Sequence, residues 1–184
     1  MKNVLVISGH SNLSHSTANA RILKRLENEI ATVQVRDLAG LYGNQDIDVA
    51  AEQAALVQAD VVVFQYPMHW YSIPAILKRY FDDVFAYGFA YGTNGDKLHG
   101  KKVIFSYTVG GGEEAYNGEL FHRLDDLLAP LKDTAKFSGL VWQDPVHSSG
   151  MLYIPGVSSE DDLAQVQAKA DEHAERLIKQ IQSL

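Results

Sequence analysis

The sequence predicts a single doubly wound α/β domain, a five-stranded parallel sheet with helices on both faces. Three observations carry that expectation. Short β-branched runs alternate with amphipathic helical stretches along the chain. Two of those runs, Val4-Leu5-Val6-Ile7 and Val61-Val62-Val63-Phe64, are apolar without interruption, as strands covered on both faces must be. The 184 residues are 46% apolar and 21% charged, enough for one buried core without staples.

The elements follow in order. Residues 3–8 are the first strand, closed by Gly9-His10, and residues 11–19 are a polar loop. The next helix carries Ile22, Leu23 and Leu26 on its apolar face. Residues 31–38 read as the second strand, 50–58 as the second helix and 60–66 as the third strand. Residues 74–85 read as a helix with Pro74 in its first turn, where a missing N–H costs nothing. Residues 101–107 are the fourth strand, running into Thr108-Val109-Gly110-Gly111-Gly112. Residues 118–131 are expected to be helical, 136–143 to form the fifth strand, and 144–158 carry no assignment. Ser159 before Glu160, Asp161 and Asp162 marks a capped, acid-rich helix start. Leu163, Val166, Ala170, Ala174, Leu177, Ile181 and Leu184 then recur at helical spacing. Right-handed crossovers leave few topologies for such a chain.

Composition excludes several functions. There is no cysteine, hence no disulfide, thiolate metal site, cysteine nucleophile or cysteine-ligated iron–sulfur cluster. Sixteen Lys and Arg against 23 Asp and Glu give a net charge of −7, which argues against nucleic-acid partners and against anionic lipid. No apolar run approaches the roughly 20 residues that span a bilayer, and residues 4–7 are too short for a secretory leader. The expected location is the cytoplasm.

Ligands of doubly wound sheets bind beyond the carboxyl ends of the strands, where strand order reverses. The loops after strands one, three and four are therefore the candidate site. The first has neither a G-x-G-x-x-G nor a P-loop signature. It offers hydroxyls at Ser11, Ser14, Ser16 and Thr17, imidazoles at His10 and His15, and then a helix start. Free amides at a helix start favour an anion. No Lys or Arg lies between Lys2 and Arg21, so neutral dipoles would hold a phosphate there. A serine-rich cap with no ligand is the competing reading. The loop Gln65 to Pro74 places Met68, His69, Trp70 and Tyr71 between prolines, and aromatic faces suit a flat conjugated ligand. Aromatics folded back into the core are the alternative. After strand four, Gly110-Gly111-Gly112 allows close backbone approach. Tyr116 and His122 follow, able to donate hydrogen bonds to charge developing on a reduced ring; a solvent-facing helical histidine is the plainer account of His122. A ring with a phosphate tail at such a switch point describes a mononucleotide of the FMN type.

Four stretches then carry a resemblance. They are Gly9-His10 with Ser16-Thr17-Ala18-Asn19; Tyr66 to Ala75 through Leu77-Lys78 to Phe85; Gly88-Phe89-Ala90-Tyr91-Gly92 with Leu98-His99-Gly100-Lys101; and Thr108 to Glu113. In these the chain resembles the flavodoxin-like NAD(P)H:quinone oxidoreductases, the DT-diaphorase group. Within it the chain is most similar to the small bacterial ancillary subunits of glutathione-gated potassium-efflux systems. The match spans residues 1 to about 125, and the C-terminal third matches loosely.

The resemblance implies a flavodoxin-like three-layer sandwich with strand order 2-1-3-4-5. It implies a flavin phosphate on Ser16, Thr17, Ala18 and Asn19 with His10 nearby, and a flavin ring on Pro67, Met68, His69 and Trp70 and on Thr108, Val109, Gly110 and Gly111. Tyr116 and His122 align with the tyrosine and histidine that stabilise charge on the reduced flavin, as catalytic residues. Tyr91 aligns with a substrate-pocket tyrosine from the other subunit of a homodimer, so Tyr91, Trp70 and Tyr116 are the substrate-binding set. The family's second ring-side threonine is Val109 here, and a second pocket tyrosine aligns with Thr93. A first loop of different length and the lack of a counterpart to the mammalian C-terminal extension favour FMN over FAD. The implied activity is two-electron, ping-pong quinone reduction with NADH or NADPH as co-substrate. The alternatives are a flavin-binding regulatory subunit, peripheral to the inner membrane face through a potassium-efflux protein, and a one-electron flavodoxin-type carrier.

Overall fold

A computed structural model describes residues 2–184. Strands β1 (Val4–Ser8), β2 (Val33–Asp37), β3 (Val61–Pro67), β4 (Lys102–Thr108) and β5 (Val141–Trp142) lie in the order β2-β1-β3-β4-β5, and β6 (Val146–Ser148) also pairs with β4. Every pairing is parallel. The expected order 2-1-3-4-5 and the flavodoxin-like architecture therefore hold, with a sixth strand added at the edge.

Alternation within the central strands divides the core into two layers. Leu5, Ile7, Val62, Phe64, Val103 and Phe105 face one side, against α2 (Leu38–Leu41), α3 (Val49–Gln58), α4 (Ala75–Val84), α5 (Leu124–Leu127) and α6 (Ala129–Phe137). Val4, Val6, Val61, Val63 and Ile104 face the other, against α1 (Ala18–Glu29) and α7 (Glu160–Ser183). The apolar pattern gives way near the carboxyl ends on the second face, where Ser8, Gln65, Ser106 and Thr108 are buried polar residues.

Helix α7 starts as expected. The Ser159 hydroxyl accepts from the Asp162 amide at 3.1 Å while the Asp162 carboxylate accepts from the Ser159 amide at 2.8 Å, a reciprocal cap. Pro74 sits just outside α4, as its cap with extended backbone, rather than in its first turn.

Two expectations are corrected at the β4 edge. Residues 118–131 do not form one helix. The Asn117 side chain accepts from the Glu119 and Leu120 amides, and Gly118 takes φ +90, so a turn precedes α5, which begins only at Leu124. Nor is 136–143 a strand. Helix α6 runs through Phe137 and stops at Gly139, φ +74, where the Leu140 amide reaches back to the Ala135 carbonyl at 2.9 Å. The fifth strand is only Val141–Trp142. Pairing resumes as β6 after Asp144-Pro145, because proline has no N–H for the ladder. The unassigned segment 144–158 thus supplies an edge strand.

Candidate functional site

Strand order reverses between β1 and β3, and three loops meet at their carboxyl ends. Gly9 leaves β1 with its amide bonded to the Gln65 carbonyl at 2.9 Å. A Cβ there would lie 2.9 Å from Cβ of Leu77, so glycine is what lets α4 pack so close. The first loop makes a single 3₁₀ turn, Leu13–His15, before α1. Ser16 Oγ accepts from the Asn19 amide at 3.0 Å and the Ala20 amide at 3.4 Å, while Thr17 makes no side-chain cap bond. The Thr17 and Ala18 amides are the donors of this first turn that the Ser16 hydroxyl does not reach. Two such donors with the Thr17 hydroxyl fit a phosphate monoester held by dipoles. His10 Nδ1 accepts from the Asn12 amide at 3.0 Å. Burial, and then the neighbouring charge of His69, hold the His10 imidazolium below its ordinary range.

The second loop is strained. Met68 continues the sheet by donating its amide to the Thr108 carbonyl at 2.8 Å. His69 and Ser72 then exchange both backbone hydrogen bonds, at 2.9 and 3.0 Å. Between them Trp70 and Tyr71 take φ +48 and +65. This is a turn that Asn-Gly makes at little strain. Bulky side chains there cost of order 1–3 kcal/mol each, and the result is a tryptophan 92% exposed at the rim.

The third loop is pinned from outside. The Val109 amide bonds the Ser148 carbonyl, Met151 bonds Val109, and Gly150 bonds Gly111, all within 2.9 Å. A Cβ on Gly111 would lie 3.4 Å from the Tyr116 hydroxyl, so Tyr116 covers this backbone. Burial raises the Tyr116 phenol above its ordinary range, with Tyr71 adding to it.

His10, Ser16, Thr17, Ala18 and Asn19 face Pro67, Met68 and His69, with Thr108 and Gly110, across one cleft of about 200 Å³. His15 lines it as well, and its remaining wall is Met151, Leu152 and Tyr153, which the sequence reading missed. The only signal was an apolar triplet after Gly150 in an otherwise unassigned stretch. Trp70, Val109 and Gly111 flank this cleft in the chain rather than line it, and Val109 is buried. Tyr91 and His122 stand elsewhere. Tyr91 packs against Phe137 with ring centroids 5.4 Å apart, and both line an apolar cavity of about 320 Å³ with Met68, Ile73, Phe81 and Phe85. His122 is exposed, in a third recess with Tyr71, Phe121 and Leu127. Met68 lines both the polar cleft and the apolar cavity.

The family profile described as flavodoxin-like fold matches residues 2–174. The chain belongs to this flavodoxin-like family. Its similarity to the glutathione-regulated potassium-efflux system ancillary protein KefF of Klebsiella pneumoniae (strain 342) is 39% identity over 175 residues, covering 95% of this chain and 94% of that protein. General stress protein 14 from Treponema denticola, solved in complex with FMN, superposes with a TM-score of 0.82 at 27% identity, covering 96% of this flavodoxin-like chain and 98% of that one. A proposed quinone reductase from Klebsiella pneumoniae superposes with a TM-score of 0.75 at 25% identity, covering 96% and 84%. Among the described residues no helix is long and apolar enough to cross a membrane, and no group of three or more acidic or histidine side chains could hold a metal ion.

Proposed function

We propose that the chain is an FMN-dependent NAD(P)H:quinone oxidoreductase. The observation that carries this reading is the switch-point cleft itself. A helix start with free amides and no cation stands at one end, and a strained aromatic turn stands at the other. The FMN-bound neighbour and the quinone-reductase neighbour support the same reading.

FMN, when bound, supplies the redox chemistry, taking a hydride from NADH or NADPH and passing it to a quinone. The chain's residues bind, orient and stabilise. Thr17 and Ala18 amides hold the phosphate, with Ser16 fixing the helix turn and Asn19 and His10 beside it. The backbone of Pro67, Met68, His69 and Trp70, with that of Thr108 to Gly111, would hold the ring. Tyr116 would donate from its hydroxyl toward charge on the ring, and His122 would do so from the adjoining recess. Trp70 offers the exposed aromatic face against which nicotinamide and quinone rest in turn. One opening used by both reactants gives ping-pong kinetics. FAD is the alternative cofactor. Stopped-flow mixing of the FMN-loaded protein with NAD(P)H tests the reading. Rapid bleaching followed by reoxidation with a quinone supports it; bleaching that takes hours assigns the chain to one-electron carriers instead.

Tyr91 lies outside the cleft of its own chain and carries exposed aromatic neighbours in Tyr87 and Phe137. In this reading it completes the pocket of a second copy in a C2 homodimer. Sedimentation at twice the 20.4 kDa chain mass is the expected result; a fully active monomer excludes the arrangement.

The 39% identity to KefF favours a second, compatible role as the cytoplasmic ancillary subunit of a potassium-efflux protein at the inner membrane face. Co-purification with such a protein tests it.

A further inference from the structure

A continuous hydrogen-bond chain runs beneath α7 and α1, along one face of the sheet, from the surface at Arg176 to the cleft. Arg176 Nη2 lies 2.8 Å from Ser148 Oγ, and Ser148 Oγ lies 3.0 Å from His173 Nδ1. His173 Nε2 lies 2.7 Å from Ser106 Oγ, which lies 2.6 Å from Gln65 Oε1. Gln65 Nε2 donates to Asn19 Oδ1 at 2.8 Å, and Asn19 Nδ2 donates to Thr108 Oγ1 at 3.0 Å. His173, Gln65 and Ser106 have no exposed surface, Asn19 and Thr108 are nearly as deep, and Asn19 and Thr108 both line the cleft.

The chemistry of the two ends gives this chain a direction. Arginine is a donor with no acceptor capacity, so Ser148 Oγ accepts from Arg176 and turns its own proton to His173 Nδ1. The imidazole then carries its hydrogen on Nε2 and donates to Ser106. Ser106 donates to Gln65, Gln65 to Asn19, and Asn19 to Thr108. Each acceptor is satisfied from the side of α7, so each donor faces the cleft. The last proton is that of Thr108. In the opposite direction the Ser148 hydroxyl would accept from both Arg176 and His173, and its own proton would have to find an acceptor elsewhere.

We propose that His173 is a positioning residue whose Nε2–H drives this one-way chain and so holds the Thr108 hydroxyl as a hydrogen-bond donor to the ring in the flavin cleft. The proposal rests on the flavin reading of the cleft for its last link only. Burial, then the like charges of Arg176 on α7 and His147 on β6, lower the His173 imidazole to about 3, so it stays neutral and can serve as donor and acceptor at once. A donor at the ring favours the electron-rich reduced form over the oxidised one. The device explains why buried polar residues interrupt the apolar face between the sheet and α7.

Two measurements test it. The first needs no flavin: long-range ¹H–¹⁵N correlation of the full-length protein, before and after FMN is added. The expected result is the neutral Nε2–H tautomer of His173, persisting from about pH 5 to about pH 9. An Nδ1–H tautomer overturns the proposal. The second is the two-electron midpoint potential of bound FMN. His173→Leu is expected to lower the reduced-to-oxidised affinity ratio about tenfold, about 30 mV. Thr108→Val does the same, and the double variant goes no further than Thr108→Val. His173→Gln, whose amide restores a donor at the Nε2 position, recovers most of the shift. An unshifted potential in His173→Leu, or full additivity, overturns the proposal. Should His173→Leu not fold, the tautomer and the glutamine variant still decide. A native protein that binds no FMN removes the flavin reading and leaves the tautomer to judge the chain of hydrogen bonds.

Discussion

The Gln65 side-chain amide donates to Asn19 Oδ1 across 2.8 Å, tying the central strand β3 to the first turn of α1. Both residues are buried. The helix start that offers free amides to a ligand is therefore anchored to the sheet and does not depend on its loop for position. The site is preorganised from the core outward, and its parts can be perturbed separately.

Ser16 is the nearest test of the phosphate end. Its hydroxyl accepts from the Asn19 and Ala20 amides, so Ser16→Ala removes a helix cap. The expected loss is about 1 kcal/mol of stability, together with a roughly fivefold to tenfold weaker FMN affinity. Urea unfolding and quenching of FMN fluorescence measure the two. Unchanged FMN affinity in a destabilised variant separates the cap from the ligand.

Trp70 and Tyr71 hold left-handed backbone that their side chains disfavour. Replacing the pair by Asn-Gly relieves that strain, so the melting temperature rises by about 2–4 °C for about 1 kcal/mol gained. Quinone turnover falls at least tenfold because the exposed aromatic face is gone. A variant that melts lower than the native protein contradicts the strain argument; one that keeps full turnover contradicts the role of Trp70.

Tyr116 lies against Gly111, whereas His122 stands in the next recess with Tyr71. Tyr116→Phe with His122→Ala is expected to slow flavin reduction at least tenfold while FMN stays bound. Most of that loss is expected from Tyr116→Phe alone, because only Tyr116 lies against the backbone of the third loop. Equal single-variant rates, both native, remove the two residues from the mechanism.

His173 also makes stability depend on pH. Unfolding returns its imidazole from about 3 to the ordinary 6.5. Below 6.5 the unfolded chain therefore binds a proton that the folded chain refuses until about pH 3. Stability rises with pH across that window, by at most about 1.4 kcal/mol per unit, and this group contributes no slope above it. Urea unfolding from about pH 4 to about pH 7 should give a shallower profile for His173→Gln than for the native protein. Parallel profiles contradict the buried neutral state.

Much of this was legible in the sequence, for physical reasons. Continuous apolar strands and a capped amphipathic last helix are local signals, and they located β1, β3, β4 and α7 to within a residue or two. The edge was not legible. Phe137, Leu140, Val141 and Trp142 read as one apolar run, but Gly139 splits it between a helix end and a two-residue strand. Beyond a short apolar triplet, nothing local marks Met151 to Tyr153 as a wall of the cleft, since that depends on Gly150 docking on Gly111. The hydrogen-bond chain was equally invisible, because Ser106 and His173 carry no signal in their own segments and the four residues meet only through the β3–β4 register and the packing of α1 and α7 on the sheet.

The most direct test of the account is the absorption spectrum of the purified protein after incubation with FMN and removal of free ligand. One bound flavin per chain is expected, seen as a yellow chromophore that NADH or NADPH bleaches. A protein that remains colourless after exposure to both FMN and FAD contradicts it.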